Sequence, residues 1–332
     1  MNAASRTFVV FVALALVGAG FLLVFSASRA ITGYAVVRGP EKARLGLMVA
    51  SVDLAQLVAE EKGFFAKRGV DVEFVKFESS NAGLDALLAG SIDVGLSTGL
   101  GNAIPASETA GGQFKLFALS MDTRDNFVSF ILVQKNSTIR SIEELRGKRI
   151  LTRTGSSPSK LLKQILRGAG IKTSEVEIVQ VGQSLMLPAF AAGQADAVLV
   201  NEPDAAIALE KDIARVLVEN PRVKYVLDPY PLSAVPLSTK FLKERPETAG
   251  KIIEATDEAI DFIRANETEA KRIIARSSGL DESVAFKIRL PHLVKSNELN
   301  ASAPVVQALA DLLWRDGETK GRVDAVQLFL TG

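Results

Sequence analysis

Ala89-Gly90-Ser91-Ile92-Asp93-Val94-Gly95-Leu96 is answered, 103 residues later, by Ala192-Gly193-Gln194-Ala195-Asp196-Ala197-Val198-Leu199. Upstream, Val72-Glu73-Phe74-Val75 is answered by Val176-Glu177-Ile178-Val179 at an offset of 104. In each copy a helical pattern ends at Ala-Gly and an apolar run follows, which reads as a strand. A nearly constant offset over about 30 residues points to two copies of one supersecondary unit, and it is too long for a solenoid repeat. Each copy ends in a polar loop, Ser97-Thr98 in one and Asn201-Glu202 in the other. The doubled unit therefore predicts two α/β halves with facing polar walls.

Working outward, strands and helices alternate. Arg44 to Ala50 reads as a strand and Asp53 to Lys67 as a helix, with Asp53 as its cap and Gln56 reaching back. Val70 to Phe77 is β-rich, Ala82 to Ala89 helical, and Ile92 to Leu96 a strand. In the second half, Leu161 to Arg167 and Leu185 to Ala192 read as helices, Val176 to Val181 and Ala197 to Val200 as strands. Such βαβ alternation favours parallel or mixed sheets flanked by helices. Two extended segments, Phe127 to Gln134 and Tyr230 to Thr239, could join the halves. Beyond them the chain is mostly helical. Pro246 suits the first turn of a helix, and Ile252, Ile253, Ala259, Ile260 and Ile263 form an apolar stripe interrupted by Thr256.

Composition narrows the function. The chain has 332 residues, 48% hydrophobic and 23% charged, which is ordinary for a globular protein large enough for two cores. A net charge of +1 gives no electrostatic case for nucleic acid. There is no cysteine, so disulfides, thiolate nucleophiles, cysteine-ligated metals and lipid attachment through an N-terminal cysteine are excluded. His292 is the only histidine and has no second histidine to share a metal with. At the N-terminus, Arg6 precedes an uncharged apolar run from Phe8 to Phe25, followed by Ser26, Ala27, Ser28, Arg29 and Ala30. Residues 1–30 read as a signal peptide or an uncleaved membrane anchor, and either places the remainder outside the cytoplasm.

In α/β sheets ligands gather at the carboxyl ends of strands, beside helix N-termini. That rule selects Ser51 and Asp53; then Ser97, Thr98 and Asn102; then Gly155, Ser156 and Ser157; and lastly Glu202. Ser157 followed by Pro158 reads as N-cap and N1 of a helix whose positive end would favour an anion. Gly99-x-Gly101, with Asp122 about 20 residues on, outlines a dinucleotide-binding turn, but Asn102 to Pro105 supply no third glycine. Glu202 and Asp204 form a carboxylate pair with no evident opposing pair, so a glycosidase lacks its parts. Arg124 and Arg153 could hold an anion, while Asp53, Asp122 and Glu202 could equally hold an amine. No catalytic set, metal or cofactor is expected.

The order of motifs resembles a known family. Glu61-Lys62-Gly63-Phe64-Phe65, Gly69-Val70-Asp71-Val72-Glu73, Ala89-Gly90-Ser91-Ile92-Asp93 and Ser141-Ile142-Glu143-Glu144-Leu145-Arg146-Gly147-Lys148-Arg149 carry it, with Gly155-Ser156-Ser157 and Ala192-Gly193-Gln194-Ala195-Asp196-Ala197 through Asn201-Glu202-Pro203. From about Arg44 to Phe241 the chain is similar to substrate-binding proteins of ABC importers for sulfonates, taurine, nitrate and thiamine precursors. The resemblance implies an α/β, two-lobed periplasmic binding protein type II fold with two hinge strands, here preceded by an N-terminal hydrophobic helix. Lobe 1 would comprise residues 43–130 and 232–332, and lobe 2 residues 131–231. A small polar solute, anionic or zwitterionic, would be captured between the lobes and delivered to an ABC permease in the inner membrane. Gln183 and Ser184 would join the cleft. A membrane-tethered sensing subunit is the alternative; an enzyme of thiamine-precursor synthesis would need a histidine and cysteines, and the chain offers none beyond His292.

Overall fold

The computed structural model describes residues 39–48, 53–154 and 156–330. The hydrophobic helix expected over residues 1–30 lies outside them, as do Ser51 and Gly155. From the N-terminal side come β1 (Glu41–Leu47), α1 (Leu54–Glu61), α2 (Phe64–Lys67), β2 (Val70–Lys76), α3 (Ser80–Leu88), β3 (Thr98–Gly99), α4 (Leu100–Ala110) and β4 (Phe114–Asp122). The chain then crosses to a second sheet. There it forms β5 (Ser129–Gln134), β6 (Arg149–Arg153), α5 (Ser156–Gly168), β7 (Glu177–Val181), α6 (Met186–Ala191), β8 (Ala197–Asn201), α7 (Asp204–Glu210), β9 (Ala214–Glu219) and α8 (Pro221–Tyr225). It returns through β10 (Tyr230–Ser238). The remainder forms α9 (Thr239–Glu244), α10 (Pro246–Ala265), α11 (Glu267–Ser278), α12 (Glu282–Ala285), β11 (His292–Val294) and α13 (Leu299–Arg315).

The two lobes share one strand order. The second sheet runs β7-β6-β8-β5-β9. In it β6 is parallel to β7 and β8, and β5 is antiparallel to β8 and β9. In the first lobe β2 pairs with β1, Val94 bridges β1 at Leu45 and β10 at Leu237, and β10 continues to β4 and β11. The order β2-β1-Val94-β10-β4 thus matches that of the second sheet, with Val94 standing where β8 stands. In each sheet an antiparallel strand is the one that has crossed from the other lobe.

The motif that revealed the duplication has a structural task at the amino edge of each sheet. The Arg44 N–H donates to Asp93 Oδ2 at 2.8 Å, and the Arg149 N–H to Asp196 Oδ2 at 2.8 Å. The Arg44 guanidinium donates to the Gly90 carbonyl at 3.1 Å, and that of Arg149 to the Gly193 carbonyl at 3.1 Å. Gly90 and Gly193 both turn the chain out of their helices at a φ of 73°, a conformation that costs a side-chain-bearing residue about 1 kcal/mol or more. The shared residues therefore lock helix end to strand start, on the side away from the facing edges.

Several expected boundaries moved. The Ile92–Leu96 strand shrinks to the single bridging residue Val94. Its neighbour β10 carries Pro236, which has no N–H, and its pairing with β4 shifts register between Val235 and Pro236. Helix Asp53–Lys67 divides because Gly63 sits at a φ of 69°. Asp53 stands at the N-cap of α1 without a side-chain capping bond there, and Gln56 Nε2 is buried with no hydrogen-bond partner among the described residues. Helix α5 begins at Ser156, one residue before the expected cap. Pro246 does open α10, whose Ile252, Thr256, Ala259, Ile260 and Ile263 are buried.

Strand alternation feeds two cores per sheet. Leu132, Leu151, Val198 and Val200 pack with Phe190 on one face of the second sheet. Ile131, Val133, Ile150, Ala197 and Leu199 pack with Leu162, Ile165 and Leu166 of α5 on the other. Each such fully buried side chain is worth about 1.5–3 kcal/mol.

Candidate functional site

Strand direction determines what faces the gap between lobes. The carboxyl ends of β1 and β4 and of the Val94 segment share an edge with the amino end of β10. In the second sheet, the carboxyl ends of β6, β7, β8 and β9 share an edge with the amino end of β5. The crossovers at residues 123–128 and 220–229 join these two edges. Six residues span at most ~20 Å, so the edges face each other.

A buried ion pair holds the crossovers together. Arg222 Nη1 lies 2.8 Å from Asp122 Oδ2, and neither side chain is open to solvent. Asp122 also accepts from the Val128 N–H at 3.1 Å and from Ser129 Oγ at 3.0 Å. Arg222 Nη2 donates to Asn201 Oδ1 at 2.8 Å, and Asn220 Nδ2 to the Thr123 carbonyl at 2.7 Å. Four chain segments thus meet at one hinge. Asp122, read as a candidate amine partner, belongs to this network. Arg124 lies outside it, largely exposed and 2.7 Å from Asp228.

The wall from lobe 1 is made of hydroxyls. Ser97 Oγ is 2.8 Å from Ser233 Oγ, which is 2.6 Å from Ser120 Oγ. Asp53 sits behind this wall, fully buried, accepting the Met48 N–H at 2.8 Å and the Ser97 N–H at 2.7 Å. Its carboxylate orders two loops. Thr98 is also fully buried, its hydroxyl donating to the Leu96 carbonyl at 3.0 Å. Asn102, on the first turn of α4, reaches Ser80 Oγ at 3.4 Å.

The wall from lobe 2 is charged. Arg153 ends β6, partly buried, with no hydrogen bond or ion pair in reach among the described residues. Burial, with Arg222 nearby, draws its guanidinium below the ordinary value, and Asp204 offsets this in part. Asp204 opens α7 and accepts from Gln183 Nε2 at 2.6 Å. Burial raises its carboxyl above the usual range, against the pull of Gln183 and Arg153. Ser157, on the first turn of α5, points across the gap: a Cβ on Gly101 of α4 would lie 3.0 Å from its hydroxyl. Ser156 starts the same helix.

Glu202 stands elsewhere. It is buried on the flank, where it accepts the Ala206 N–H at 3.0 Å and the Arg289 N–H from lobe 1 at 3.3 Å. Burial raises its pKa to about 7 despite these bonds and the charges of Arg289 and Lys271. On that flank Arg289 also reaches Glu219 at 3.4 Å, and Lys287 pairs with Glu210. On the opposite flank Gln164 and Arg167 of α5 hold Asp316 at 2.9 and 2.6 Å, and Lys160 pairs with Glu318. The lobes are thus strapped on both sides of the gap.

Among the expected positions, the structure sets Gly101, next to Asn102, against Ser157 on the first turn of α5, groups Gln183 and Arg153 around Asp204, and places Ser97 in the serine wall of lobe 1. It sets Asp53 behind one wall and Glu202 on a flank. Ser120, Ser233 and Arg222 were missed. Ser120 and Ser233 come together only through β4–β10 register, and Arg222 lies 100 residues from Asp122, so neither has a local signature. Among the described residues no three histidine or carboxylate side chains converge as metal ligands would. No helix among them is long and apolar enough to cross a membrane.

The comparisons agree with this architecture. A family profile described as NMT1/THI5 like matches residues 53–270. The taurine-binding periplasmic protein of Escherichia coli (strain K12) is 28% identical over 253 residues, covering 74% of this chain and 75% of that protein. The periplasmic aliphatic sulphonate binding protein SsuA of Escherichia coli superposes with a TM-score of 0.70 at 24% identity, covering 87% of this chain and 97% of that one. The alkanesulfonate-binding protein SsuA of Xanthomonas axonopodis pv. citri, bound to MOPS, gives 0.69 at 21%, covering 89% and 100%. These two likenesses show the fold, that of two-lobed periplasmic binding proteins.

Proposed function

This chain belongs to the NMT1/THI5-like family, and we propose that it is a periplasmic solute receptor that closes two lobes on a small sulfonate-class oxyanion and passes it to an ABC permease. The observation that carries this reading is Arg153, a partly buried guanidinium at the carboxyl end of β6 with no hydrogen-bonding partner among the described residues. A buried cation is costly unless paired, and a planar fork of donors matches an oxyanion in geometry as well as charge. The first turn of α5 adds backbone N–H groups and the Ser157 hydroxyl from the same side. The facing hydroxyl wall supplies further donors without further charge. Asp204 beside Arg153 suits a solute that also carries an ammonium group, as taurine does. No step of bond making or breaking is required: binding, closure and release are the whole activity.

A thermal-stability screen tests this. Taurine, ethanesulfonate, MOPS and nitrate are compared with ethylamine at equal ionic strength. A solute at 100 times its Kd stabilises by about 2.7 kcal/mol. We expect at least one sulfonate to raise Tm in wild type and none to do so in Arg153→Met. A shift with ethylamine alone contradicts the reading.

A further inference from the structure

We propose that Ser97, Ser233 and Ser120 act as one directional donor that points a single hydrogen bond at the solute's oxygen; this rests on the receptor reading above. The three hydroxyls form an unbranched chain, with oxygens 2.8 Å apart from Ser97 to Ser233 and 2.6 Å apart from Ser233 to Ser120. Three hydroxyls carry three donor protons, and two links use two of them. All three side chains are buried, at 7%, 4% and 6% exposure. No hydrogen bond from either end of the chain to a further acceptor occurs among the described residues. One O–H is therefore left over, at Ser97, at Ser120, or at Ser233 if both ends donate inward, in a place where an unmet donor costs about 1–3 kcal/mol.

Position selects the Ser97 end. Ser97 ends the Val94 segment and leads through Thr98 and Gly99 into α4, whose Gly101 faces Ser157 across the gap. Ser120 lies two residues before Asp122 on β4, on the same face, toward the hinge. Asp122 already accepts from three donors there. With the proton directed outward at Ser97, Ser120 donates to Ser233, Ser233 donates to Ser97, and Ser97 donates to the solute. Each bond polarises the next, so the outer hydroxyl is a stronger donor than a lone serine. The chain would give lobe 1 a directed donor opposite the guanidinium of lobe 2, and it would favour solutes with an oxygen acceptor at that end.

Ser97→Ala removes the donor while leaving the backbone N–H that Asp53 accepts. Calorimetric titration uses the sulfonate of highest affinity among taurine, ethanesulfonate and MOPS. Losing a hydrogen bond to a charged acceptor weakens binding about tenfold or more. We expect that loss for Ser97→Ala, a smaller loss for Ser233→Ala, and binding within about threefold of wild type for Ser97→Thr, which restores the hydroxyl. Sulfonate binding by Ser97→Ala within twofold of wild type overturns the chain and leaves the receptor reading standing. Wild-type protein that binds none of the three solutes overturns both.

Discussion

The two lobes are the same object at one edge and different objects at the other. At the amino edges, Asp93 and Asp196 accept from the Arg44 and Arg149 N–H groups at the same distance, and the same arginines bind the Gly90 and Gly193 carbonyls. At the carboxyl edges the chemistry diverges. Lobe 1 presents a serine chain backed by a buried carboxylate, and lobe 2 presents Arg153, Asp204 and Gln183. The third strand diverges as well, from a full β8 to one bridge at Val94. Duplication thus preserved what starts a strand and released what ends it. In a parallel sheet the first is scaffold and the second is site.

The largest effect is expected where the lobes cannot be separated. Arg222→Met leaves Asp122 buried without its counter-charge and should cost about 3–5 kcal/mol in urea unfolding. The loss should appear in a single transition if both lobes depend on the hinge. Next comes the contrast between walls. Arg153→Met should weaken sulfonate binding about 30- to 100-fold by calorimetry, or about 2–3 kcal/mol. Unliganded Tm should change little, because the burial cost of the guanidinium is relieved while Asp204 loses its positive neighbour. A fall in Tm with affinity intact would make Arg153 a scaffold residue.

The flank comes third. The Glu202 carboxyl keeps its proton to about pH 7 in the folded chain, against 4.5 for an ordinary glutamate. Between those values the folded chain binds more protons than the unfolded one, so stability declines as pH rises from 4.5 to 7 and is level above. The decline attributable to this group is on the order of 3 kcal/mol. A Tm profile of Glu202→Gln over pH 5 to 8 should be correspondingly flatter than that of wild type; parallel profiles would remove Glu202 as the source. The smallest effect tests the duplication itself. Asp93→Ala and Asp196→Ala should each cost about 1 kcal/mol and agree within about 0.5. A several-fold difference in cost would mean the two locks are not equivalent.

Much of the scaffold was legible because it is local. Gly90 and Gly193 end helices, Pro246 begins one, and apolar runs mark β5 and β8. The doubled motif revealed two lobes, yet its conserved-looking aspartates proved to tie the edges away from the gap. The facing walls were legible only as polar loops. Asp53 and Glu202 looked like ligand groups because a carboxylate at a strand end carries the same letter whether it meets a solute or a backbone N–H. Arg222 and the Ser120–Ser233 contact depend on crossovers and register that no short stretch encodes.

The central claim is that lobe 2's Arg153 and lobe 1's hydroxyls close on one oxyanion. Native mass spectrometry of the protein, incubated with an equimolar mixture of taurine, ethanesulfonate, MOPS and ethylamine, tests it most directly. The account predicts one sulfonate adduct per chain, absent from Arg153→Met. An ethylamine adduct, or no adduct at all on the wild-type chain, would contradict it.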